Sequence, residues 1–299
     1  MRRFDHLDDV EAFVRTMEAG SMTAGAIALS TTPSVVSRAI SRLETRLGVQ
    51  LLRRTTRRLS LTDAGSAYLE QVRSAFTLIA DAERALQGQE GDLAGQVRVS
   101  VSTTYGHHRL PAVLERFARA HPQVNIELSI TNRNVDLVAE GYDLAIRLGQ
   151  LPDSSLVGRK LEDASLCLVA APSYLERAGT LETIEDLARH QCLPFVMPST
   201  GRDSPWLFQD DGRDVDWTPP ARVRIFDDVL GVVSLAVAGM GVGQTYDFIV
   251  RDRIAQGRLV EVLPSTRGRS RPFSVIFAPH RRMSAASRTL IDFLVAGAE

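Results

Sequence analysis

Cysteine and lysine are scarce in this sequence, and long apolar runs are missing. The two cysteines, Cys167 and Cys192, are too few for a disulfide-stapled scaffold and fit a reducing compartment. No apolar stretch approaches the roughly 18 residues that a membrane-spanning helix needs. Met1-Arg-Arg-Phe is followed by acids, and not by the apolar segment of a signal peptide. We therefore expect a protein that stays in the cytoplasm.

Sequence motifs of the common enzyme classes are also missing. The chain has no Gly-x-Ser-x-Gly elbow, no Walker loop and no His-Glu-x-x-His pair. His107 and His108 are adjacent, so they would leave a helix in different directions and make a poor metal pair. Gly239-x-Gly-x-Gly243 follows a predicted helix, whereas a dinucleotide-binding loop follows a strand. We expect no enzyme, no metal and no cofactor; a redox pairing of Cys167 with Cys192 is a less favoured alternative to a core role for Cys167.

Basic charge is concentrated in one part of the chain. The 299 residues carry 35 basic and 36 acidic side chains, and a single lysine, Lys160, occurs. Between Arg38 and Arg58 there are seven arginines against one acid, Glu44. Phosphate attraction needs such a local patch and does not need a basic protein overall. The length and the 44% hydrophobic content fit a globular protein of two or three domains.

The arginine-rich part lies in a stretch that predicts two helices and a hairpin. Ser21 can cap the first helix; Thr32, Pro33 and Gly48 are typical start and stop residues of the second. The second helix has an apolar face, formed by Val36, Ile40, Leu43 and Leu47. Its opposite face is small, hydroxyl-rich and basic, so it can approach base edges and phosphates. Val49–Leu52 and Leu59–Leu61 are predicted as strands on either side of a wing tip at Arg54–Arg58.

Three ordered segments resemble the winged helix-turn-helix of LysR-type transcriptional regulators: Thr32–Glu44, Leu47–Thr55 and Leu61–Gly65. Two positions depart from the family pattern. Many members have Gln at the position of Thr32, where the side chain often contacts DNA. Many have Ala at the position of Gly25, and a glycine should weaken that helix by about 1 kcal/mol.

The resemblance implies that a dimer binds double-stranded DNA at an inverted repeat, with recognition helices about 34 Å apart. Ser34, Ser37 and Arg38 are the predicted base readers, and Arg42, Arg54, Thr56 and Arg57 the predicted phosphate contacts. The full set of candidate DNA-binding residues is Ser21, Thr23, Thr31, Thr32, Pro33, Ser34, Ser37, Arg38, Arg42, Arg54, Thr56 and Arg57.

A long helix is predicted from Thr62 to about Leu86. Its apolar residues follow a 3.5-residue repeat, which favours pairing with the same helix of a second subunit. The candidate dimerisation residues are Leu69, Val72, Phe76 and Ile79. Packing of this helix on the C-terminal domain is the alternative. The polar, glycine-containing stretch Gln87–Asp92 is the predicted hinge.

Beyond the hinge, strands and helices alternate, which is typical of α/β layers. The predicted strands are Val97–Val101, Val124–Ile130, Leu144–Leu148, Ser165–Ala170 and Phe273–Ala278. The predicted helices are Leu110–Ala120, Asn134–Glu140, Glu182–Arg189, Asp228–Ala238 and Ala285–Val295. Val196–Ala221 should be irregular.

The C-terminal part resembles the effector domain of the same family, which is similar to periplasmic binding proteins. The predicted fold class is therefore α plus α/β: a winged helix-turn-helix with a long linker helix, followed by a two-lobed effector domain. The predicted domains are 1–62 for DNA binding, 63–92 for the linker, and 93–299 for the effector. Lobe I comprises 93–162 and 268–299, lobe II comprises 163–267, and two crossing strands join them.

A small-molecule effector is expected between the lobes, where strands end and helices begin. Hydroxyl groups follow the first strand, a second polar segment lies in the other lobe, and Arg147 can balance an anion. Asp228, at the start of a predicted helix, is a third candidate. Helix capping is the plainer alternative for Asp228 and for the hydroxyls after the first strand, and pairing with Asp143 or Glu140 is the alternative for Arg147. The candidate effector-binding residues are Ser102, Thr103, Thr104, Arg147, Met197, Ser199, Thr200 and Asp228.

The sequence is thus interpreted as an effector-modulated transcriptional regulator, and the resemblance implies a homodimer or homotetramer that contacts RNA polymerase. Two rival classes remain. One is a solute-binding or enzymatic α/β protein with an accessory basic N-terminus. The other is an architectural DNA-binding protein without a ligand.

Overall fold

A computed structural model describes residues 6–55, 58–86, 93–149, 156–220, 222–279 and 283–297. The chain divides into two compact units. One comprises Met1–Gly91 and Val138–Gly141, and the other Asp92–Leu137 and Tyr142–Glu299. Within the described ranges, no helix is both long enough and apolar enough to cross a bilayer.

The N-terminal unit consists of a helical trio, a two-stranded wing and a long helix. Its elements are α1 (Leu7–Glu18), α2 (Met22–Ala28), α3 (Pro33–Leu47), β1 (Leu52–Thr55), β2 (Arg58–Leu61) and α4 (Asp63–Leu86). The predicted caps are present: the Ser21 hydroxyl accepts from Ala24 N–H at 3.1 Å, and the Thr32 hydroxyl from Val35 N–H at 3.4 Å. Gly48 ends α3 in the left-handed region, with φ of 69°. These local signals therefore set the helix boundaries as predicted.

The core of this unit differs from the predicted apolar face at the end of α3. Val36, Ile40 and Leu43 are buried, but Leu47 is 40% exposed. The first wing strand also begins later than predicted, at Leu52 instead of Val49. Val49 stays at the surface while the chain carries Leu51 into the core, so the pairing of β1 with β2 starts one residue further on.

Gly25 has a packing role that the sequence did not reveal. A Cβ atom at this position would lie 2.7 Å from the Thr16 Cα and 2.7 Å from its Oγ1. The Thr16 side chain is buried and donates to the Ala12 carbonyl at 2.7 Å. The glycine therefore allows α2 to approach α1 more closely than alanine would.

The first half of α4 belongs to the core of its own unit. Leu69 is 4% exposed and lies in the cluster formed by α1, α2, α3 and β1, and Val72 and Phe76 pack against that cluster. This placement removes Leu69 from the predicted partner-facing stripe. Ile79, further along, is 48% exposed.

The C-terminal unit has a curled, seven-stranded mixed sheet flanked by helices. Its strands are β3 (Ala94–Val101), β4 (Gln123–Ile130), β5 (Leu144–Leu148), β6 (Val157–Ala170), β7 (Trp206–Asp210), β8 (Arg213–Trp217), β9 (Gly243–Tyr246), β10 (Val260–Val262) and β11 (Ser270–Phe277). Its helices are α5 (Thr103–His108), α6 (Leu110–Ala120), α7 (Pro172–Ala178), α8 (Leu230–Val237), α9 (Asp247–Ala255) and α10 (Ala285–Ala296). The sheet order is β10-β6-β11-β5-β3-β4, and β9 also pairs with β6.

One strand, β6, runs through both halves of this sheet, and its pairing defines the lobes. The first part of β6 pairs with β11, which also pairs with β5 on the side of β3 and β4. We call this side lobe I. The second part of β6 pairs with β9 and β10, and we call that side lobe II. The predicted fold class is confirmed, and of the two predicted crossing strands the pairing shows β6.

Several predicted elements differ from the observed ones. Asn134–Glu140 does not form the predicted helix: its second half, from Leu137, forms turns, and Leu137 packs in a small cluster with Ala145 and Ile276. β6 starts at Val157, eight residues before the predicted Ser165, because its polar first part pairs with β11. Glu185–Arg189 is a short 3-10 turn.

The predicted irregular region contains a β-hairpin. β7 and β8 pair from Trp206 with Trp217 to Asp210 with Arg213. The two loop residues, Asp211 and Gly212, both have positive φ, 45° and 75°. This is the type of turn that Asp-Gly favours between two strands. The tryptophan rings, 5.6 Å apart, close the other end of the hairpin.

Candidate nucleic-acid interface and effector cavity

The outer face of α3 carries a shallow groove, and no acidic side chain among the described residues lines it. It is lined by Arg38, Ser41, Arg42, Thr45 and Arg46. Ser34 and Arg38 are exposed and Ser37 is half-buried, as base-reading residues would need to be. The Arg38 Nε donates to the Ser34 carbonyl at 3.3 Å, so the side chain lies along the helix. An exposed helix face with small hydroxyl and basic side chains is the kind of surface that helices use in the major groove of DNA.

Arg42 forms an ion pair with an acidic residue of α1, so its guanidinium is not free to bind phosphate. Its Nε donates to Asp9 Oδ2 at 3.2 Å, and its Nη2 donates to the other carboxylate oxygen. The hydrogen bond and the charge of Asp9 raise the pKa of Arg42. A DNA phosphate at this position would have to compete with Asp9 for the guanidinium.

The other predicted DNA-binding residues fall into three groups. Ser21 and Thr32 use their hydroxyls as helix caps, and Pro33 is the first residue of α3. Thr23 is exposed and Thr31 half-buried between the two helices. Arg54 lies in β1, while Thr56 and Arg57 lie outside the described residues.

Glu44, the lone acid of the arginine-rich stretch, connects α3 to the wing. Glu44 is 8% exposed, and its carboxylate accepts hydrogen bonds from the backbone N–H groups of Leu51 at 2.8 Å and Leu52 at 3.0 Å. The sequence analysis missed this role. The signal available in the sequence was that Glu44 is the single acid among seven arginines.

A cavity of about 360 Å³ lies between the two lobes of the C-terminal unit. Five of the predicted effector-binding residues line it: Ser102, Thr104, Arg147, Met197 and Ser199. The sequence analysis missed other polar lining residues, which include Asn132, Ser204, Gln244, Thr245 and Arg271. Its size is at the small end of the range for ligand pockets, roughly 300–1,000 Å³.

Three predicted effector-binding residues are absent from the lining of this cavity. The exposed Thr200 accepts from Arg202 N–H at 3.3 Å in a surface turn. Asp228 accepts from Leu230 N–H at 3.0 Å, which is the capping role that had been the alternative. Thr103 donates its hydroxyl to Asp228 at 2.9 Å.

Thr103 and Asp228 belong to a hydrogen-bonded latch at the rim of the cavity. Asn132 in lobe I donates to Thr103 Oγ1 and to the Asp227 carbonyl in lobe II, both at 2.8 Å. Asp227 has φ of 62°, and Asp228 N–H donates to Phe226 O at 2.6 Å. A positive φ strains any residue that has a Cβ atom. The latch therefore maintains a tight turn that an isolated chain would avoid.

Two buried hydroxyls in the cavity lining lack a partner among the described residues. They are Ser102 Oγ, at the end of β3, and Thr245 Oγ1, in β9. The two residues are 7% and 2% exposed. An unsatisfied buried hydroxyl costs about 1–3 kcal/mol, which a hydrogen bond to a bound molecule would recover.

The surroundings of the two cysteines make their thiols unreactive. Both are buried, and burial raises the pKa of Cys167 and of Cys192 to about 12. Neither lines the cavity. Burial also lowers the pKa of His108, whose ring lies 6.1 Å from that of Phe248. Both cysteines have the surroundings of ordinary core residues.

Comparison with known proteins places both units in one family. The family model "Bacterial regulatory helix-turn-helix protein, lysR family" matches residues 7–66, and "LysR substrate binding domain" matches residues 90–299. The HTH-type transcriptional regulator CrgA of Neisseria meningitidis is 32% identical over 289 residues, which is 96% of this chain and 95% of the relative. A transcriptional repressor of Pseudomonas aeruginosa is 32% identical, over 97% of this chain and 92% of that protein.

Solved structures agree with this assignment over the whole length. The structure of CrgA from N. meningitidis matches with a TM-score of 0.62 and 30% identity, covering 97% of this chain and 98% of the other. The full-length Vibrio cholerae virulence activator AphB matches with a TM-score of 0.59 and 26% identity, over 97% and 98%. On these matches, which cover its helix-turn-helix and its two-lobed domain, this chain belongs to the LysR family of transcriptional regulators.

Proposed function

We propose that the protein regulates transcription as a homo-oligomer whose hold on DNA is changed by a small molecule bound between lobes I and II. The observation that supports it most is the cavity that holds the unpartnered hydroxyls of Ser102 and Thr245, beside the inter-lobe latch. A ligand that bridges the two hydroxyls would draw the lobes together. Closure of this kind can change how the DNA-binding domains of an oligomer are spaced.

The DNA contacts proposed for α3 follow from its exposed face. Ser34, Ser37 and Arg38 would read base edges, and Arg46, in the same groove, would join Arg54 and Arg57 in binding phosphate. Two such helices in a dimer would enter successive major grooves of an inverted repeat, about 34 Å apart.

The remaining parts of the proposal concern the assembly of subunits and the cellular compartment. Ile79 on α4 would contribute to a helix pair between subunits, and the family resemblance implies a tetramer and contact with RNA polymerase. No catalytic step, metal or cofactor is part of the proposal. The protein would act in the cytoplasm, where bacterial DNA lies.

The test is binding of the full-length protein to the DNA upstream of its own gene, measured by fluorescence anisotropy across a salt series. We expect sequence-dependent affinity that falls steeply with salt, because each phosphate contact releases counterions. Arg38→Ala should reduce the preference for this DNA over a scrambled sequence by about tenfold or more, as loss of a base contact does.

Arg15→Ala is the matched control. Arg15 lies on α1 of the same domain and pairs with Glu18, so its loss should leave DNA affinity unchanged. Equal, weak affinity for both DNA sequences, in the presence and absence of ligand, would refute the proposal. Full ligand binding without any DNA affinity would favour the solute-binding alternative.

A further inference from the structure

The charges that line the inter-lobe cavity are of one sign. Among the described residues, Arg147 and Arg271 line the cavity, and no aspartate or glutamate does. A partly enclosed site with a low local dielectric strengthens the interaction of these guanidinium groups with a ligand charge. The cavity therefore disfavours a cation and favours an anion.

Of the two arginines, Arg271 gives the stronger evidence for an anion-binding site. It lies in β11, beside the first part of β6, and its Nη2 donates to Ser204 Oγ at 3.0 Å and to the Pro205 carbonyl at 2.9 Å. Both acceptors are neutral. Across the described ranges, no carboxylate lies within ion-pair distance of it.

The contrast with the arginines just before it in sequence is clear. Arg269 lies 3.2 Å from both Asp214 and Asp216, and Arg267 pairs with Glu261. The exposed Arg267 and the half-buried Arg269 thus each have an acidic partner, whereas none of the described acids pairs with Arg271. A guanidinium positioned by neutral acceptors keeps N–H groups for a bound carboxylate.

The unpartnered hydroxyls supply the second part of the site. Ser102 lies in lobe I and Thr245 in lobe II, and both line the same cavity as Arg271. Hydroxyls that donate to a carboxylate form charge-assisted hydrogen bonds, about twice as strong as those between neutral groups. Apolar walls formed by Leu166, Phe195 and Trp206 complete the cavity and exclude a fully hydrated ion.

Resting on the effector-binding function proposed above, we propose that the ligand is a small organic carboxylate with an apolar body. Arg271 binds its charge, the Ser102 and Thr245 hydroxyls donate to its oxygens, and the apolar walls contact its carbon skeleton. A phosphate ester carries −1.5 to −2 charges at neutral pH and suits the apolar walls less well.

The test uses probes matched in shape and different in charge. Full-length protein is titrated with benzoate and benzamide, with phenylacetate and phenylacetamide, and with phenyl phosphate, and binding is followed by ligand-observed NMR and calorimetry. Each carboxylate is expected to bind at least about tenfold more tightly than its amide, as the strength of hydrogen bonds to charged groups implies. Phenyl phosphate is expected to bind more weakly than the carboxylates.

Variants assign the preference to Arg271. Arg271→Met should bring each carboxylate down to the level of its amide, and Arg271→Lys should keep part of the difference. Arg269→Met, close by in sequence and outside the cavity, should leave it unchanged. If Arg271→Met shows no thermal unfolding transition and is therefore not folded, Ser102→Ala and Thr245→Val take its place. Each should weaken carboxylate binding several-fold.

The outcomes separate this inference from the proposed function. Amides that bind as well as acids, a preference that survives Arg271→Met, or tighter binding of phenyl phosphate would overturn the carboxylate assignment and leave effector binding intact. No binding by any probe up to millimolar concentration would overturn both.

Discussion

The contact between Gly25 and Thr16 shows how one residue can be judged wrongly from helix propensity alone. In sequence, a glycine inside a helix is a weak point. In the structure, the Thr16 backbone occupies the space that any Cβ at position 25 would need. The interaction depends on a residue of another helix, so no local signal could have shown it.

Gly25→Ala should therefore destabilise the protein. Overpacking typically costs 1–3 kcal/mol, against a gain of about 1 kcal/mol in helix propensity, so we expect a net loss of up to about 2 kcal/mol. Urea unfolding of the full-length protein measures it. Ala28→Gly, at an exposed position of α2, is the control and should cost up to about 1 kcal/mol by propensity alone. A stabilised Gly25→Ala variant would show that α1 and α2 separate easily.

Asp9 limits the positive charge that α3 can offer to DNA. Asp9→Asn should release Arg42, raise DNA affinity several-fold and steepen the salt dependence by roughly one phosphate contact. Anisotropy titrations across a salt series measure both quantities. Asp8→Asn removes an equal charge from the same helical turn, but at an exposed position, and serves as control. Equal effects of the two variants would mean that general charge, and not the release of Arg42, is responsible.

At the scale of elements, the sequence predicted most helices well because their signals are local. Caps at Ser21, Thr32 and Gly48 are read from single residues and their neighbours. The predictions failed where distant contacts decide the backbone. Leu137 stays in a turn because its cluster partners come from β5 and β11. The β7–β8 hairpin lies in Val196–Ala221, which was predicted as irregular because this segment resembles the family weakly and contains Pro219-Pro220, although Asp211-Gly212 is a recognised turn signal.

The connection between α3 and the wing should depend on the acceptor at position 44. Glu44→Leu leaves the N–H groups of Leu51 and Leu52 without this acceptor, at about 1–3 kcal/mol each. We expect faster hydrogen exchange of these two amides and weaker DNA binding. Glu44→Gln keeps an acceptor oxygen and should lie much closer to wild type. Unchanged exchange in Glu44→Leu would show that strand pairing alone holds the wing.

The latch should restrain the segment that precedes α8. Thr103→Val keeps the side-chain shape but removes the donor to Asp228 and the acceptor for Asn132. We expect faster hydrogen exchange of backbone amides in residues 226–232, measured by mass spectrometry on the ligand-free protein. Thr200→Val removes a hydroxyl from an exposed turn and should leave that segment unchanged. If both variants exchange like wild type, the latch does not hold the lobes together.

At the scale of the molecule, the two-lobed architecture was anticipated, while the cavity was anticipated only in part. Residues that follow a predicted strand, such as Ser102, could be found from sequence. Thr245 and Arg271 lie inside strands, where a polar residue looks like the ordinary outward face of the alternation. The curl of the sheet turns them toward the cavity, and a pattern along one strand carries no information about that curl.

The buried thiols should make the folded protein resistant to alkylation. Their pKa of about 12 leaves almost no thiolate at pH 8, whereas unfolded thiols have an ordinary pKa of about 8.5. Because the folded-state value is raised, their contribution to stability is present below that ordinary pKa and is lost as the pH rises above it. Iodoacetamide labelling followed by mass spectrometry should be slow in buffer and fast in urea. Rapid native labelling would reveal frequent opening around Cys167 or Cys192.

The position of β11 between β5 and β6 has a consequence for how the protein is made. During synthesis on the ribosome, β3 to β6 emerge first, and the neighbouring edges of β5 and β6 stay unpaired while all of lobe II is being translated. Unpaired strand edges invite association with other chains. The winged domain, by contrast, has its complete core once α4 has emerged. We expect the nascent chain to carry a finished DNA-binding domain ahead of an unfinished sheet. We also expect chaperones to protect the open strand edges until the last strand of the sheet has been synthesised.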